Sequence, residues 1–242
     1  VKVNLGLHDV DSPEPEPLRA LREGAAEMGI SLDDRQLRLF AAYEEELLRW
    51  SRLVSLVAVR SPLDIIVKHF LDSLSLLPLL PGEEGLRLLD IGTGGGFPGL
   101  PLKIVRPEIE LHLLEISRKK VSFLREAIRK LGLTGVEVVH ERVEAVMRTG
   151  LLALDCDVVV SRAAFSTAEM LAMGAHFLRP GGLLLVMRGP RKLDEPAASQ
   201  DLYREKTLSF RLPILGYPRI IIIFRKVAAA SKDHISPAQS II

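Results

Sequence analysis

The stretch LLDIGTGGGFPGLP, Leu88 to Pro101, sets a run of glycines and two prolines directly after a short apolar segment. Glycine is kept in such a place when backbone must turn sharply or come close to something. A loop that cradles a triphosphate needs lysine followed by serine or threonine after the glycines. Here Phe97-Pro98-Gly99 follows instead, and Lys103 has no such neighbour. A dinucleotide fingerprint needs G-x-G-x-x-G right after a strand, yet counting from Gly92 and Gly94 puts Phe97 at the third glycine position. A match from Gly94 through Gly96 to Gly99 starts late and contains a proline.

Outward from this loop the chain alternates strands and helices. LRLLDI, ELHLLEI, VEVVHE, CDVVVS and LLLVMR read as five short, mostly apolar strands, with helical stretches at 98–106, 117–131, 143–149 and 166–178 between them. Buried runs alternating with helices predict a parallel sheet covered on both faces. PRIIIIFRKV is a β-branched strand expected to pair with the stretch around Lys206–Leu212 as the antiparallel edge of a mixed sheet.

Upstream the pattern is helical. A first helix starts at Pro17-Leu18 and stops at Gly29. Ser31 or Asp33 caps a second, whose stripe is Leu37, Phe40, Ala41, Leu47 and Leu48 and whose wet face carries the Glu44–Glu46 cluster. Ser61-Pro62 opens a third, with Ile65, Ile66, Phe70, Leu74 and Leu77 turned inward. The expected division is therefore a disordered, acidic, proline-rich lead over 1–17, a helical extension over 18–80, an α/β domain over 81–227 and a flexible tail over 228–242.

Bulk properties narrow the class. The 242 residues suit one substantial domain plus an extension, and 48% hydrophobic with 26% charged residues suits a normal core. A net charge of +1 makes any basic surface local. Cys156 is the only cysteine, which excludes intramolecular disulfides and cysteine-cluster metal sites. Neither a signal peptide nor an apolar run long enough to span a bilayer is visible, so a cytoplasmic protein with no membrane attachment is expected; a monomer is expected as well.

The remaining form of the loop is acidic-x-G-x-G-x-G, carried by Asp90, Gly92, Thr93, Gly94 and Gly96. It resembles the first motif of S-adenosylmethionine-dependent methyltransferases, and the resemblance implies their Rossmann-like fold. Glycines let backbone approach such a ligand, while Asp90 orders either the loop or the ligand's amino group. Glu115 ends the second strand roughly 20 residues after Gly92, where an acid can bond ribose hydroxyls. The alternative is a solvated strand-end carboxylate. Glu144, in ERVEAV after the third strand, either closes over adenine or simply occupies a helix first turn, where acids are common.

The acceptor is constrained by what is missing. No amide–aromatic clamp follows CDVVVS, which runs into Ser161-Arg162-Ala163, and Cys156 sits at the far end of that strand, where a structural role suits it. An acceptor that is already nucleophilic fits this pattern. Guanine N7 has a lone pair and no proton to remove, so alignment rather than a general base carries catalysis.

The set HFLDSLSLL, LLDIGTGGGFPGLPLKI, LLEISRKKVSFL and VVVSRA is similar to the RsmG (glucose-inhibited division protein B) family over roughly residues 35 to 190. The resemblance implies methylation of one guanine N7 of 16S rRNA near the decoding region, from S-adenosyl-L-methionine, leaving S-adenosyl-L-homocysteine, with the small ribosomal subunit as partner and no metal. It places cofactor contacts on Gly92, Phe97, Val143, Glu144, Arg162 and Glu115, the last where the family usually has aspartate. It also makes His69 and Asp72 candidate organisers of the cofactor-side loop, against the plainer reading of a Lys68–Asp72 pair at i,i+4. No catalytic residue is assigned; Arg162, His69 and Asp72 are positioning candidates.

Arg162 leaves the fourth strand at the edge where open α/β sheets bind ligands. It is open to three readings: cofactor contact, RNA phosphate contact, or a salt bridge. RNA-binding candidates are Lys119, Lys120 and Arg125 in the basic helix, and Arg188, Arg191 and Lys192 after the fifth strand. The first group is equally a solvated helix face, whereas phosphate contacts from the second would position a substrate. Phe97 and Phe165 either stack on a base or belong to the core. The competing functions are a methyltransferase for another RNA, a small molecule or a protein, a non-catalytic cofactor-binding module, and, more remotely, a nicotinamide-dependent dehydrogenase.

Overall fold

The computed structural model describes residues 15–56, 61–150, 152, 155–162, 164–189, 199 and 201–228. The elements run α1 (Glu16–Glu27), α2 (Asp34–Ser51), α3 (Pro62–Ile65), a π-helical segment (Ile66–Leu71), α4 (Asp72–Leu74), a 3-10 turn (Leu77–Leu79), β1 (Arg87–Ile91), α5 (Gly99–Val105), β2 (Glu110–Leu114), α6 (Arg118–Leu131), β3 (Val136–Val139), α7 (Val143–Thr149), β4 (Cys156–Arg162), α8 (Thr167–Phe177), β5 (Leu178–Arg188), β6 (Leu202–Arg211) and β7 (Pro218–Lys226).

Local chemistry sets several helix starts. Asp33 accepts from the Gln36 amide while Gln36 reaches back to the Asp33 backbone, and Ser166 with Glu169 repeats this reciprocal cap on α8. Ser61 caps α3 from the position before Pro62. The seven strands form one sheet in the order β3-β2-β1-β4-β5-β7-β6. The first five are parallel, and β7 pairs antiparallel with both β5 and β6. The mixed sheet is thus α/β and mostly parallel, with its antiparallel strands at one side.

Side chains along a strand alternate between faces, and the two faces have separate cores. Leu88, Leu113, Val158, Val160, Leu185 and Ile221 face α1, α2, the π-helical segment and α6, burying Leu21, Phe40, Tyr43, Phe70 and Phe123. Leu89, Val159, Leu184, Val186, Ile222 and Phe224 face α7 and α8. The N-terminal helices therefore share one core with the sheet and lie directly over one face of it.

Four expectations change. Leu48 of the anticipated stripe is exposed, and Tyr43, one position outside it, is fully buried. Glu46 is not on a wet face: it is 1% exposed, because α6 covers α2 and Lys130 joins Arg49 in pairing with it. Leu77 is only half-buried. Finally, β5 starts at Leu178, ahead of the apolar run that marked it in the sequence.

Candidate active site

The order of strands reverses between β1 and β4, and in open α/β sheets the crevice at that switch point binds ligands. The glycine loop leaves β1 there and Arg162 ends β4 beside it. Asp90, fully buried, is the loop's internal anchor: its Oδ2 accepts from Thr93 Oγ1 at 2.7 Å and from the Gly99 amide at 2.9 Å. Burial pushes its carboxyl up to about 6 against those bonds. Of the two roles open to Asp90, ordering the loop is the one the structure displays.

Glu115 is likewise no solvated carboxylate. It is 5% exposed, with Oε2 accepting from the Gly94 amide at 2.9 Å and Oε1 from the Ser117 amide at 2.8 Å. Each oxygen keeps a second lone pair in a carboxylate whose orientation the main chain has set. Gly92, Gly94 and Gly96 take φ of +70°, +62° and +90°, the left-handed region that other residues avoid. A Cβ on Gly92 would meet Ala164 at 2.9 Å, and one on Gly96 would meet Leu100 and the Tyr43 hydroxyl at 2.5 Å. At Gly94 nothing lies closer than 4.0 Å. The loop is therefore packed by protein at two glycines and open at the third.

Beyond Gly92 an apolar slot is walled by Ile91, Leu114, Ile116, Val143 and Phe165, with Glu141, Arg142 and Glu144 at its mouth. Val143 is buried and Glu144 exposed. A second cavity of about 430 Å³ is lined by Lys68, His69, Asp72, Arg162, Met187, Arg188, Gly189 and Arg219.

Arg162 lines this second cavity and is held by several partners. Its Nη1 donates to the Lys68 carbonyl at 2.9 Å and to Asp72 at 3.4 Å, and its Nη2 lies 2.8 Å from His69 Nδ1. The guanidinium sits 4.9 Å from the centroid of Phe97. Asp72 is buried and also accepts from Arg219 Nε at 2.9 Å. Burial raises the Asp72 carboxyl, and the two guanidiniums oppose that rise.

The expected Lys68–Asp72 pair does not form. Lys68 turns to Asp64 at 2.5 Å, because both Asp72 oxygens are taken by arginines from β4 and β7. Asp72 thus stands on Arg162, while His69 bonds Arg162 and also packs on Phe97 of the glycine loop, with ring centroids 4.8 Å apart. Phe97 belongs to the core, stacked on Tyr43 at 5.5 Å and close to Phe70 and His69. Phe165 is half-buried and lines the apolar slot.

Two residues that local pattern did not single out complete the site. Arg219, the second residue of β7, reaches Asp72 of α4. Tyr43, fully buried in α2, donates its hydroxyl to the Gly95 carbonyl and so ties the N-terminal helices to the glycine loop. Tyr43→Phe leaves that buried carbonyl unpaired and is expected to lower stability by about 1–3 kcal/mol. A thermal unfolding midpoint equal to that of the unaltered protein would mean that the hydroxyl does not hold the loop.

A family model for rRNA small subunit methyltransferase G matches residues 36–211. The chain belongs to that family. Ribosomal RNA small subunit methyltransferase G of Syntrophus aciditrophicus is 40% identical over 92% of this chain and 95% of its own length. The protein of the same name from Desulfotalea psychrophila is 41% identical over 85% of this chain and 96% of its own length. Among solved structures, MtNAS in complex with MTA and tNA superposes with a TM-score of 0.53 at 16% identity, covering 86% of this chain and 75% of that one. TrmN from Thermus thermophilus gives 0.52 at 18% identity, over 73% of this chain and 53% of that one. At such identities the likeness is one of fold alone, the Rossmann-like methyltransferase fold.

Within this rRNA small subunit methyltransferase G frame, Asp90, Gly92, Thr93, Gly94, Gly96, Phe97, Glu115 and Arg162 converge on the edge of β1 and β4, with Val143 and Glu144 across the slot. The basic candidates scatter more widely. Lys119 and Arg125 are exposed on α6 and Lys120 is half-buried. Arg188 lines the larger cavity and donates to the Phe165 carbonyl at 2.5 Å. Arg191 and Lys192 lie outside the described residues. Cys156 is buried and its thiol is pushed up to about 12, which suits a structural group. Among the described residues no cluster of His, Cys, Asp and Glu is arranged to hold a metal, and no helix is long and apolar enough to cross a membrane.

Proposed function

We propose that this protein transfers the methyl group of S-adenosyl-L-methionine to N7 of a guanine in 16S rRNA, near the decoding region of the small subunit, leaving S-adenosyl-L-homocysteine. Such a substrate puts the activity in the cytoplasm. Family membership supports the class of reaction, and the apolar slot at the glycine loop together with the cation-edged cavity at Arg162 supports the reading of this site.

The open face at Gly94, the two oriented oxygens of Glu115 and the apolar slot fit a ligand with a ribose and a flat base. When bound there, the sulfonium cofactor supplies an electrophilic methyl group. The chain's own part is to hold: Gly94 and Glu115 fix the ribose side, and Ile116, Val143 and Phe165 sandwich the base. The second cavity, of about 430 Å³, has room for a purine and is edged by Lys68, Arg162, Arg188 and Arg219, cations suited to a nucleotide's phosphates. An acceptor base that must reach such a cavity has to be splayed from its stack, which unpaired RNA does at low cost.

In this reaction the N7–methyl bond forms as the sulfur–methyl bond breaks, positive charge passes from sulfur to the base, and no proton leaves. The side chains fit that requirement. His69 accepts from Arg162 and Asp72 accepts from two arginines, so both are engaged in positioning rather than in taking a proton.

The test is incubation with labelled cofactor and unmethylated 16S rRNA or small subunits, followed by mapping of the base. Label released as 7-methylguanine is the expected result. Label absent from guanine, while S-adenosyl-L-homocysteine binds in parallel calorimetry, would remove the N7 assignment; tight NAD binding without homocysteine-compound binding would remove the methyltransferase reading altogether.

A further inference from the structure

His69 lines the larger cavity, and its hydrogen bonding fixes which ring nitrogen carries the proton. Nδ1 lies 2.8 Å from Arg162 Nη2. A guanidinium has donors only, so Nδ1 accepts. Arg162 cannot turn away, since Lys68, Asp72 and the Phe97 ring hold it. Burial, with Arg162, Arg219 and Lys68 nearby and only Asp64 opposing, brings the His69 pKa down to about 3. The ring is therefore neutral at working pH, and its single proton is on Nε2. The helix is π-wound at this point, Ile66–Leu71, a distortion that is frequent at functional sites. The result is a neutral, tautomer-locked N–H donor in the wall of a purine-sized cavity.

From this we infer that His69 is the guanine-selecting residue of the proposed reaction, donating Nε2–H to O6 of the acceptor base. The inference rests on the guanine-N7 reading above. On the edge of guanine that carries N7, the neighbouring group is the acceptor O6; in adenine it is the donor N6 amino group. A donor beside O6 recognises guanine while leaving the N7 lone pair free to take the methyl group. The same donor meets an amino group in adenine, and two donors face each other without an acceptor.

The test uses 16S rRNA assembled with guanine, inosine, 2-aminopurine or adenine at the mapped acceptor position. Inosine keeps O6 and lacks the 2-amino group, whereas 2-aminopurine keeps N7 and the amino group and lacks O6. The unaltered protein is expected to methylate guanine and inosine with similar kcat/KM, and 2-aminopurine roughly 10- to 100-fold less well. In His69→Ala, the guanine to 2-aminopurine and inosine to 2-aminopurine ratios of kcat/KM fall to about one, on top of any loss that all the substrates share because Arg162 has lost an acceptor. In His69→Gln, whose amide restores an acceptor for Arg162 and a donor near Nε2, much of the discrimination returns; this variant also guards against a folding defect, checked by thermal unfolding.

A His69→Ala protein that keeps the guanine to 2-aminopurine ratio overturns the inference. If the same variant instead loses affinity for S-adenosyl-L-homocysteine, the donor serves the cofactor's carboxylate. An unaltered protein that binds S-adenosyl-L-homocysteine yet labels no guanine removes the underlying reading and this inference with it, a result distinguishable because it appears before any substitution is made.

Discussion

Asp72→Asn is expected to be the most destabilising single-charge change in the site. Asp72 is 2% exposed and balances Arg162 and Arg219, whose side chains are only about a fifth exposed. Removing one partner from a buried ion pair costs about 3–5 kcal/mol, because the other charge stays behind without compensation. Here two guanidiniums stay behind, and the asparagine amide can accept from one of them only while presenting its NH₂ to the other. Partial exposure of the arginines favours the lower end, about 3 kcal/mol, or a drop of roughly 6–12 °C in Tm for a chain of this size. The loss reaches function through Arg162, which rests on Phe97 beside the glycine loop. Arg219→Met is expected to cost less, since Asp72 keeps Arg162. Thermal unfolding of the two variants checks this; an Asp72→Asn midpoint within 2 °C of the unaltered protein, or one above that of Arg219→Met, would show that the pairing is not what secures Arg162.

The parts of this site that were legible in sequence are the parts that are local. Asp90 bonds Thr93 and Gly99 within the single stretch that also carries the glycines, so one short segment contains its own explanation. Glu115 lies beside the loop because neighbouring parallel strands end together, Asp90 pairing with Leu113 and Ile91 with Leu114. Distance along the chain is what hid the rest. Arg219 meets Asp72 across 147 positions and Tyr43 meets Gly95 across 52, and neither carries a local pattern that announces its partner.

Lys68 shows the ambiguity in its plainest form. Asp64 and Asp72 flank it at four residues on either side, and helical order favours the preceding acid by only a few tenths of a kcal/mol at most, about the size of such a pair itself. The choice was made by two arginines from β4 and β7, which occupy Asp72 and leave Asp64 for the lysine. The burial of Glu46 has a related cause. Three consecutive glutamates look like a wet face until another helix supplies cations, and Lys130 lies 84 positions away. Burying a carboxylate is tolerable only with such partners, and partners of that kind belong to the tertiary fold.

Gly94→Asp is the second large effect, and its size should fall on binding rather than on stability. The backbone at Gly94 has φ +62° and the space around its missing side chain is open, with the nearest atom 4.0 Å away. Aspartate enters the left-handed region more readily than most residues, so the folding cost is about 1–2 kcal/mol. The new carboxylate stands beside Glu115, which already accepts from the Gly94 amide, and it fills the one face of the loop that protein atoms do not occupy. A loss of at least about 100-fold in affinity for S-adenosyl-L-homocysteine, roughly 2.7 kcal/mol, is expected with Tm lowered by only a few degrees. Gly96→Ala should behave in the opposite proportion. Its Cβ would meet Leu100 and the Tyr43 hydroxyl at 2.5 Å, so the added methyl strains the packing that seats the loop and lowers Tm before it touches any ligand. Calorimetric titration and thermal unfolding of both variants separate the two effects, and a Gly94→Asp protein that binds the homocysteine compound normally would put the ligand somewhere other than the open side of this loop.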